Sequence, residues 1–551
     1  MHLSTNPYTK QQYPIPETIN DRKHIEAFLR RFPERKVVVV QGLGFVGAVM
    51  SIVCANADGA DYAVIGVDLP TPQSYWKICE INAGKFPITS SDPNVELYFE
   101  NARQQGNFYA TADPIAYSYA DVIIVDVNLD VDKKNGPFNE LKAFDVNLDG
   151  FRAAIKAIGR HCREDVHVIV ETTVPPGTCM QVVYPLLCEG LVRRSLTASM
   201  IRVGHSYERV MPGPDYVNSI KHFYRVYAGI DEASADATEA FLRTIISTEK
   251  YPLTRLGNTN ATEMAKVLEN SYRAMNIAFI VEWTRFAEEA GVNLYEVVRA
   301  IRMRPTHSNM MLPGIGVGGY CLTKDALMAS WARQQMFGGK GPLTMSEQGI
   351  ATNDLMPWYA FRFMLKHLGI ETDDEDQSSL PGKQGIVAPD DGRRTHTENP
   401  ATDDYGSGSA NPSHEKKYQG KRLKGLKFLL LGVSYRSDVA DTRYTPPEYL
   451  YRFLKREGAD VALHDPYVGY WEELALNVPD NLEKVLTDDI DVLVFSTMHG
   501  MYRDDNTLYR FIEKNRHVWV FDTLGIVPEE VIRQTANKRI RVLGRGDLIG
   551  G

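Results

Sequence analysis

A short glycine-rich segment near the N-terminus constrains the fold of this chain more than any other feature. Residues 36–40, KVVVV, are almost entirely β-branched, as expected of a strand buried on both faces of a parallel sheet. They lead into Gly42-Leu43-Gly44-Phe45-Val46-Gly47. In such a turn the first glycine allows a tight bend, the second lets a pyrophosphate approach the backbone, and the third lets helix and strand pack closely. The segment predicts a dinucleotide-binding fold, with Gly42, Gly44, Phe45, Val46 and Gly47 at the cofactor.

An acidic residue at the end of the next predicted strand indicates which cofactor binds. The segment 63–69, AVIGVDL, places Asp68 where a carboxylate can accept hydrogen bonds from both ribose hydroxyls. A 2′-phosphate would be repelled there, so Asp68 favours NAD over NADP. A merely structural glycine turn would not need an acidic residue at this position.

The chain alternates between buried strands and helices in two separate regions. This alternation is typical of an open α/β sheet. In the first region the additional predicted strands are 121–127, 167–174 and 223–230. In the second region the predicted elements are strands 427–435, 460–468, 490–497 and 517–524, with a helix at 446–457.

A helical region separates the two α/β units. Residues 258–290 show an uninterrupted helical pattern that Gly291 can terminate. Shorter helices are predicted at 322–337 and 354–368. The predicted fold class is therefore α/β, with two Rossmann-like doubly wound domains joined by a long central helix and a helical middle domain.

The predicted domain boundaries follow from these patterns. Residues 371–422 contain almost no large apolar side chains, so we expect a disordered insertion there. The N-terminal arm is polar, apart from a short helix predicted around residues 24–31. The predicted units are the arm (1–34), the NAD-binding domain (35–250), the helical central domain with the cysteine loop (251–370), the insertion (371–422) and a second α/β domain (423–551).

Length, charge and cysteine usage narrow the class of protein. A chain of 551 residues suggests about three domains. No apolar stretch is long enough to span a bilayer, and the N-terminus lacks the apolar core of a secretory signal. The net charge of −9 argues against nucleic-acid or membrane binding. The six cysteines lack the spacing of metal ligands, so we expect no metal site and reduced thiols in a cytoplasmic protein.

A second glycine-rich loop carries a candidate nucleophile. Residues 313–321, PGIGVGGYC, place Cys321 just before a predicted helix. A helix N-terminus favours the thiolate of a nearby cysteine. Asp325 follows one helical turn later, where it can position a water near the sulfur. From spacing alone, a catalytic Cys321 and a buried structural cysteine beside a flexible loop are equally consistent with the sequence.

Three further segments contain candidate site residues. Lys266 and Asn270 lie four apart on one face of the long helix, with Glu263 one turn before Lys266. In isolation, such a face is more often simply solvated. Residues 171–177, ETTVPPG, end a strand, where ligands of α/β proteins bind. Residues 206–213, SYERVMPG, would not stand out alone.

Together these motifs resemble the UDP-glucose/GDP-mannose dehydrogenase family over nearly the whole chain. They occur in the family's order: the glycine fingerprint, Thr-Val-Pro-Pro-Gly, Glu-Arg-Val, Lys-x-x-x-Asn, Gly-Gly-x-Cys with its following aspartate, and Tyr-Arg-Ser-Asp…Asp-Thr-Arg at 435–443. The coincidence of all six in one order makes the resemblance specific.

The resemblance implies a four-electron oxidation of a sugar hydroxymethyl group to a carboxylate, with two NAD⁺ consumed in turn. Cys321 would add to the aldehyde as a thiohemiacetal, which is oxidised to a thioester and then hydrolysed. Lys266 would stabilise the oxyanion, and Asn270 would orient the sugar or the oxyanion. Asp325 and Thr173 would hold the water that relays a proton. Glu208 matches the family's glutamate of thioester hydrolysis.

The resemblance also implies where the ligands bind. Asn128 and Thr173 would join the glycine fingerprint and Asp68 around NAD. The implied substrate-binding residues are Glu208, Lys266, Asn270, Gly318 and Arg436. The second α/β domain, which carries Arg436, has no G-x-G-x-x-G after its first strand, consistent with a nucleotide-sugar site rather than a second NAD site. The family also implies a homodimer or larger homo-oligomer through the central domain.

Departures from the family pattern bear on the substrate. Many UDP-glucose dehydrogenases carry a second glutamate four residues after the first, but Pro212 stands there in this chain. The pattern Glu-Arg-Val-x-Pro-Gly resembles more closely the branch that acts on UDP-N-acetylhexosamines. The other departures are Tyr207 in place of a proline, Asn128-Leu129-Asp130 in place of Asn-Thr-Pro, and Asp522-Thr523-Leu524 in place of a late Asp-x-Arg. The expected product is a uronate for polysaccharide synthesis.

Alternatives to this activity remain. UDP-glucose is a possible substrate, and a GDP-mannose 6-dehydrogenase would use the same chemistry. An inactive NAD-binding regulatory subunit belongs to another class of protein. The presence of Cys321, Lys266, Asn270 and Asp325 argues against it, because an inactive site would tolerate their loss.

Overall fold

The computed structural model describes residues 2–88, 90–210, 213–370 and 421–548. Most of the predicted insertion, residues 371–420, lies outside the described residues, as does Pro212. Within the described ranges, no helix combines the length and the apolar character needed to cross a bilayer.

The N-terminal segment forms a hairpin and one short helix. Strands β1 (Leu3–Thr5) and β2 (Gln12–Pro14) pair antiparallel, with Ser4 opposite Tyr13. Helix α1 (Arg22–Leu29) buries Ile25 and Phe28 against the first domain. The helix was predicted from the sequence. The hairpin was not, because its three-residue strands are too short to show an alternating pattern.

The first domain is built on an eight-stranded sheet in the order β12-β11-β10-β9-β6-β3-β4-β5. All neighbours are parallel except β10 and β11. Its strands, together with those of the separate hairpin β7–β8, are β3 (Lys36–Gln41), β4 (Tyr62–Val67), β5 (Phe108–Thr111), β6 (Val122–Val125), β7 (Val131–Asn135), β8 (Leu141–Val146), β9 (His167–Val170), β10 (Arg202–His205), β11 (Val226–Gly229) and β12 (Thr254–Arg255).

Helices cover both faces of this sheet. Val37 and Val39 of β3 belong to one core cluster, whereas Val38 and Val40 belong to the cluster on the opposite face. This division explains why the strand is apolar at consecutive positions. The helices are α2 (Phe45–Ala55), α3 (Tyr75–Asn82), α4 (Pro93–Gln105), α5 (Asp149–His161), α6 (Tyr184–Val192), α7 (Tyr216–Lys221) and α8 (Glu232–Ile245).

A helical region follows the first sheet. Its longest member, α9, is capped by the side chain of Asn258, which accepts a hydrogen bond from the amide of Ala261, and it ends at Gly291 in the left-handed conformation with φ 70°. The predicted long helix and its terminating glycine are thus confirmed. The helices are α9 (Thr259–Ala290), α10 (Leu294–Arg302), α11 (Asp325–Gln335), α12 (Thr344–Asp354) and α13 (Met356–His367).

Both shorter helices predicted in this region are present, and each begins two or three residues later than predicted. The helix predicted at about 354–368 is α13, which begins at Met356. A separate helix, α12, ends just before it at Asp354. Pro357 explains the break, because proline lacks an amide hydrogen and fits only the first turn of a helix. The helix predicted from Leu322 begins at Asp325, and residues 321–324 form turns that precede it.

The second α/β domain contains a five-stranded parallel sheet in the order β14-β13-β17-β18-β19. Counted along this domain, the strand order is 2-1-3-4-5, whereas the first sheet contains the order 3-2-1-4-5-6. Both orders are typical of doubly wound sheets, so the predicted fold class is confirmed. The strands, including the small hairpin β15–β16, are β13 (Lys427–Leu431), β14 (Asp460–His464), β15 (Tyr470–Trp471), β16 (Leu476–Asn477), β17 (Val492–Phe495), β18 (Trp519–Asp522) and β19 (Ile540–Val542). The helices are α14 (Pro446–Arg456), α15 (Leu482–Val485), α16 (Gly500–Asp504), α17 (Asn506–Lys514) and α18 (Glu529–Gln534).

Candidate functional site

The carboxyl ends of five neighbouring strands bring predicted cofactor residues and the predicted catalytic Glu208 to one edge of the first sheet. Strands β4, β3, β6, β9 and β10 are consecutive and parallel there. The segments that follow them contain, respectively, Asp68, Gly42, Asn128, Thr173 and Glu208. Chain connections reverse direction between β3 and β6, which is where ligands of doubly wound sheets bind.

The glycine fingerprint has the geometry of a pyrophosphate cradle. Gly42 has φ +96°, and a Cβ on it would lie 2.1 Å from the carbonyl oxygen of Asp126. A Cβ on Gly47 would lie 1.9 Å from the carbonyl oxygen of Gly42. Gly44 differs, because nothing lies within 4 Å of the Cβ position there. This open space at the N-terminus of α2 fits a dinucleotide pyrophosphate, and the helix begins with Phe45 and Val46.

Asp68 directly follows β4 and is tied to the fingerprint. One carboxylate oxygen accepts a hydrogen bond from the amide of Leu43 at 3.2 Å and lies 3.5 Å from Nζ of Lys77. Lys77 belongs to α3 and was not predicted as a site residue. Asp68 lies beside the cradle, in agreement with its predicted role of accepting hydrogen bonds from the ribose hydroxyls. The contact with Lys77 limits the orientations of the carboxylate.

The segments after β6 and β9 are joined by a threonine next to the predicted one. The hydroxyl of Thr172 lies 3.0 Å from the carbonyl oxygens of Val125 and Val127, and it accepts a hydrogen bond from the amide of Val127 at 2.9 Å. This contact fixes the backbone on either side, so Asn128 and the half-buried Thr173 come from neighbouring segments at the same edge.

Cys321 lies in a turn rather than in the first turn of a helix. Its carbonyl oxygen accepts hydrogen bonds from the amides of Lys324 and Asp325 at 3.2 and 3.0 Å. Burial, followed by the negative charge of Asp325, raises the pKa of the Cys321 thiol to about 11. The expectation that a helix dipole favours the thiolate was therefore wrong for the free protein, because burial and a neighbouring carboxylate outweigh the nearby cations.

Asn270 and Asp325 form a hydrogen bond that connects α9 to the cysteine loop. Nδ2 of Asn270 donates to a carboxylate oxygen of Asp325 at 2.7 Å, and both side chains are buried. The other oxygen of Asp325 accepts from Nζ of Lys324 at 3.1 Å. Lys324 is itself buried and was missed, although it stands beside Asp325 in the sequence. A lysine three residues after a candidate nucleophile is a signal that could have identified it.

Lys266 points from α9 to the segment after β10. Its Nζ donates to the carbonyl oxygen of Glu208 at 3.0 Å and lies 5.4 Å from the ring centroid of Tyr207. Burial acts to lower the pKa of Lys266, but the negative groups around it, led by Glu208 and Cys321, raise the pKa above its ordinary value. Lys266 is therefore a fixed cation close to Cys321, as stabilisation of an oxyanion requires.

Glu208 lies within electrostatic reach of both reactive groups. It raises the pKa of Lys266 and, after stronger contributions, that of Cys321. One of its carboxylate oxygens accepts a hydrogen bond from the amide of Val210. The structure thus brings together five of the predicted catalytic residues, which are Cys321, Lys266, Asn270, Asp325 and Glu208.

Two predicted substrate-binding residues, Gly318 and Arg436, lie near or in the second α/β domain but have different surroundings. A Cβ on Gly318 would lie 2.5 Å from the Cβ of Tyr435 and 2.8 Å from Cδ of Pro446. Gly318 therefore permits close contact between the cysteine loop and this domain. Arg436 is exposed on the same segment as Tyr435.

A different arginine of this domain faces the site. The guanidinium carbon of Arg443 lies 4.3 Å from the ring centroid of Phe45 and 5.7 Å from that of Tyr320, and Asp441 binds it at 2.7 Å. Cys321 is among the groups that raise the pKa of Arg443, so the two side chains lie within electrostatic reach of each other. It was missed as a site residue, although it ends the Asp-Thr-Arg motif, because sequence alone does not show which of two arginines points inward.

Comparisons with known proteins agree with this arrangement. Models of the UDP-glucose/GDP-mannose dehydrogenase family match its NAD binding domain at residues 36–246, its central domain at 260–354 and its UDP binding domain at 429–529. A UDP-N-acetyl-D-mannosamine dehydrogenase from Pyrococcus horikoshii is 25% identical, covering 93% of this chain and 100% of its own. One from Methanocaldococcus jannaschii is 26% identical, covering 93% and 97%.

A solved structure extends the similarity to three dimensions. The UDP-D-ManNAc dehydrogenase of Pyrococcus horikoshii has a TM-score of 0.69 at 24% identity, covering 93% of this chain and 100% of its own. It supports the fold described above. With the NAD-binding cradle and all three family domains present, the chain belongs to the UDP-glucose/GDP-mannose dehydrogenase family and is an NAD-dependent nucleotide-sugar dehydrogenase.

Proposed function

We propose that this protein oxidises the C6 hydroxymethyl group of a UDP-N-acetylhexosamine to a carboxylate, with Cys321 as a covalent nucleophile. The observation that carries the proposal is the set of contacts around Cys321. Asn270 holds Asp325 at 2.7 Å, and Lys266 is anchored at 3.0 Å to the segment that bears Glu208. A nucleophile, a fixed cation and two carboxylates are the groups that a thioester route needs.

The residues of this chain have distinct tasks in the proposed reaction. NAD⁺ would accept a hydride in each of the two oxidations, held by the fingerprint, Asp68, Asn128 and Thr173. Lys266 would stabilise the negative charge that develops on the C6 oxygen. Asn270 would orient this oxygen while it holds Asp325. Asp325 and Thr173 would position the water that carries protons away.

Cys321 acts between the two oxidations. The sulfur forms a bond to the aldehyde carbon, the carbonyl electron pair moves to oxygen, and the thiol proton leaves through the water at Asp325. After the second oxidation the carbon is bound to sulfur as a thioester. A water directed by Glu208 then attacks this carbon, and the carbon–sulfur bond breaks to release the carboxylate and restore the thiol.

The names of the relatives support the nature of the sugar. Both curated relatives cited above are named UDP-N-acetyl-D-mannosamine dehydrogenases, and each is matched over 93% of this chain. The pattern Glu-Arg-Val-x-Pro-Gly favours the same branch. Glu208, Lys266, Asn270, Gly318 and Arg436 would bind the substrate, and Arg443 would add a cation facing the cleft. The resulting nucleotide-linked uronate is an activated sugar for polysaccharide synthesis, and a reducing cytoplasm would keep Cys321 as a thiol.

We also propose that α9 pairs with a second copy of this chain. Its outward face carries large apolar side chains that are about half exposed: Met264, Leu268, Tyr272, Phe279, Trp283 and Phe286. They recur at helical spacing of three, four or seven residues, which gives one continuous stripe. Exposed apolar patches of this kind mark protein–protein contacts, and a stripe along one helix suits a two-fold contact with itself.

A panel of nucleotide sugars tests the proposed activity. Purified protein with NAD⁺ is mixed with UDP-N-acetylmannosamine, UDP-N-acetylglucosamine, UDP-glucose or GDP-mannose, and NADH is followed by absorbance. We expect the highest kcat/KM with a UDP-N-acetylhexosamine and a uronate as its product. Preference for GDP-mannose, or no NADH with any of the four, would contradict the proposal.

A further inference from the structure

The helix α9 contacts each of three site segments through a different side chain on one face. Lys266 contacts the segment after β10, and Asn270 contacts the cysteine loop. The third contact comes from Glu263, one turn before Lys266. The segment it contacts follows β9, contains Thr172 and Thr173, and continues to Gly177 and Cys179.

Glu263 binds this segment with both oxygens of its carboxylate. One oxygen accepts a hydrogen bond from the amide of Gly177 at 2.7 Å, and the other accepts from the amide of Cys179 at 2.7 Å. The side chain is fully buried. Gly177 has φ +97°, which glycine adopts far more readily than other residues, so the turn has a defined shape that the two bonds hold.

The other end of the same segment is also fixed. Thr172 is held to the strand β6 by its hydroxyl, as described above, and the hydroxyl of Thr178 donates to the carbonyl oxygen of Pro175 at 2.6 Å. Thr173 therefore lies between a fixed point on the sheet and a fixed point on α9. Its distance from the residues of α9 depends on the bonds that Glu263 makes.

We propose that Glu263 is a positioning residue for the dehydrogenase reaction. Its carboxylate fixes the Gly177–Cys179 turn to α9 and thereby keeps Thr173 in place relative to Lys266 and Asn270 on the same helix. This role rests on the proposed function for its catalytic consequence. The clamp between Glu263 and the turn is a property of the protein without substrate and can be tested separately.

The chemistry of the clamp requires a carboxylate. Two backbone amides point at Glu263, so both of its oxygens must accept. A glutamine at this position offers one acceptor, and its NH₂ group would face the second amide, leaving a buried donor unpaired. Burial raises the pKa of Glu263 to about 7, even though hydrogen bonds from the thiol of Cys179 and from the amides of Cys179, Gly177 and Thr178 lower it.

The same helix offers a matched control. Glu288 is also on α9, and a carboxylate oxygen of it accepts from the backbone amide of Gly544 at 2.8 Å. Burial raises its pKa to about 7 as well. Its partners are Gly544 of the second α/β domain and the hydroxyl of Tyr359 on α13, and neither belongs to the turn. Glu288→Gln should therefore affect stability in a similar way without touching the clamp.

Hydrogen exchange followed by mass spectrometry tests the clamp on the full chain without substrate. In Glu263→Gln, we expect amide exchange in peptides covering 174–183 to be about tenfold faster or more, as loss of a buried charge-assisted hydrogen bond implies. The same peptides should be unchanged in Glu288→Gln. Unchanged exchange in Glu263→Gln would overturn the clamp, whatever the enzyme's activity.

Kinetics with the best nucleotide sugar test the positioning role. We expect Glu263→Gln to lower kcat about tenfold with little change in KM for the sugar, and Glu288→Gln to keep kcat within about twofold. In a double-mutant cycle, Glu263→Gln should add little to the loss caused by Thr173→Ala. Faster exchange with unchanged kcat, or fully additive losses, would overturn the role. A wild-type enzyme with no uronate product would instead contradict the proposed function.

Discussion

At the scale of single residues, the site depends on a balance of charges around Cys321. The charged groups that act on the thiol are two lysines and two carboxylates: Lys266, Lys324, Asp325 and Glu208. Asp325 has the largest effect of the four, and it is held by Asn270 and Lys324. Burial makes the neutral thiol the stable form. In the proposed reaction this is an advantage, because the sulfur ionises only as it adds to an aldehyde, when Lys266 can stabilise the oxygen that gains charge.

The pKa of Cys321 predicts how its reactivity depends on pH. Because the thiolate is the nucleophile and the pKa is raised to about 11, we expect inactivation by iodoacetamide to be slow at neutral pH and to accelerate up to that value. The free energy of unfolding changes in the opposite direction. Because the pKa of Cys321 is higher in the folded than in the unfolded protein, its contribution to stability is fully present below the ordinary thiol pKa and is lost as pH rises through about 11. Mass spectrometry of the modified peptide measures the rate. A rate that levels off below the ordinary thiol pKa would contradict the raised pKa of Cys321.

Asp68 predicts the cofactor preference. In Asp68→Ala the ribose hydroxyls lose their acceptor, so we expect NAD binding to weaken about tenfold or more. Binding of NADP should weaken less, because the repulsion of its 2′-phosphate is also removed. Titration of both cofactors by calorimetry gives the two dissociation constants. An unchanged ratio between them would mean that Asp68 does not contact the ribose.

Some residues of the site could be predicted from the sequence, and others could not. Cys321, Lys266 and Asn270 were predicted only from the ordered combination of motifs, because each local pattern alone also fits a purely structural role. Arg443 was not separated from Arg436, since the choice depends on how the second α/β domain packs against Phe45. The partners of Glu263 were not predictable either, because residues 177 and 179 come close to it only through the fold.

At the scale of elements, α9 is both the spine of the site and the candidate contact with a second copy. Its inward face carries Glu263, Lys266 and Asn270, and its outward face carries the apolar stripe. The sequence predicted this helix because a long helical pattern with a terminating glycine needs no long-range information. It did not predict β1, β2, β7 and β8, which are short, half-exposed hairpins with weak patterns.

The apolar stripe of α9 predicts the oligomeric state. A charge placed in an apolar interface is unfavourable, so we expect Trp283→Glu to shift the protein from dimer to monomer, with sedimentation velocity as the measurement. Leu97→Glu is the control. Leu97 on α4 is 53% exposed and Trp283 is 46% exposed, so the two positions are similarly accessible, but only Trp283 belongs to the stripe. A wild-type protein that sediments as a monomer at all concentrations would contradict this contact.

At the scale of the whole molecule, the cysteine loop lies between two nucleotide-binding domains. Gly318 and Gly319 are packed directly against Tyr435, and the amide of Gly319 donates to the carbonyl oxygen of Arg443 at 3.1 Å. The guanidinium of Arg443 in turn packs on the ring of Phe45 in the NAD-binding domain. The fold class was predictable from two alternating patterns of strands and helices. The way in which the domains close on Cys321 was not, because it rests on contacts between distant segments.

The packing of Gly318 predicts the effect of separating the domains. A methyl group there would lie 2.5 Å from the Cβ of Tyr435, so Gly318→Ala must push the second α/β domain away from the loop. We expect kcat to fall about tenfold or more, because misplacement by an ångström is costly for catalysis. The control is Gly314→Ala, whose methyl group would lie 3.6 Å from Cδ2 of Leu524, an ordinary contact. Equal activity of the two variants would show that this closure is not required.

The proposed four-electron oxidation passes through a thioester on Cys321, so the ratio of NADH formed to sugar consumed is its sharpest test. A limiting amount of the best nucleotide sugar is converted to completion, and the products are identified by mass spectrometry. We predict about two NADH per sugar and only the uronate, because the covalent intermediate keeps the aldehyde on the enzyme. In Cys321→Ser, uronate formation should be slowed strongly while NAD binding persists. About one NADH per sugar with free aldehyde in solution, or uronate production by Cys321→Ser at the wild-type rate, would contradict the thioester route.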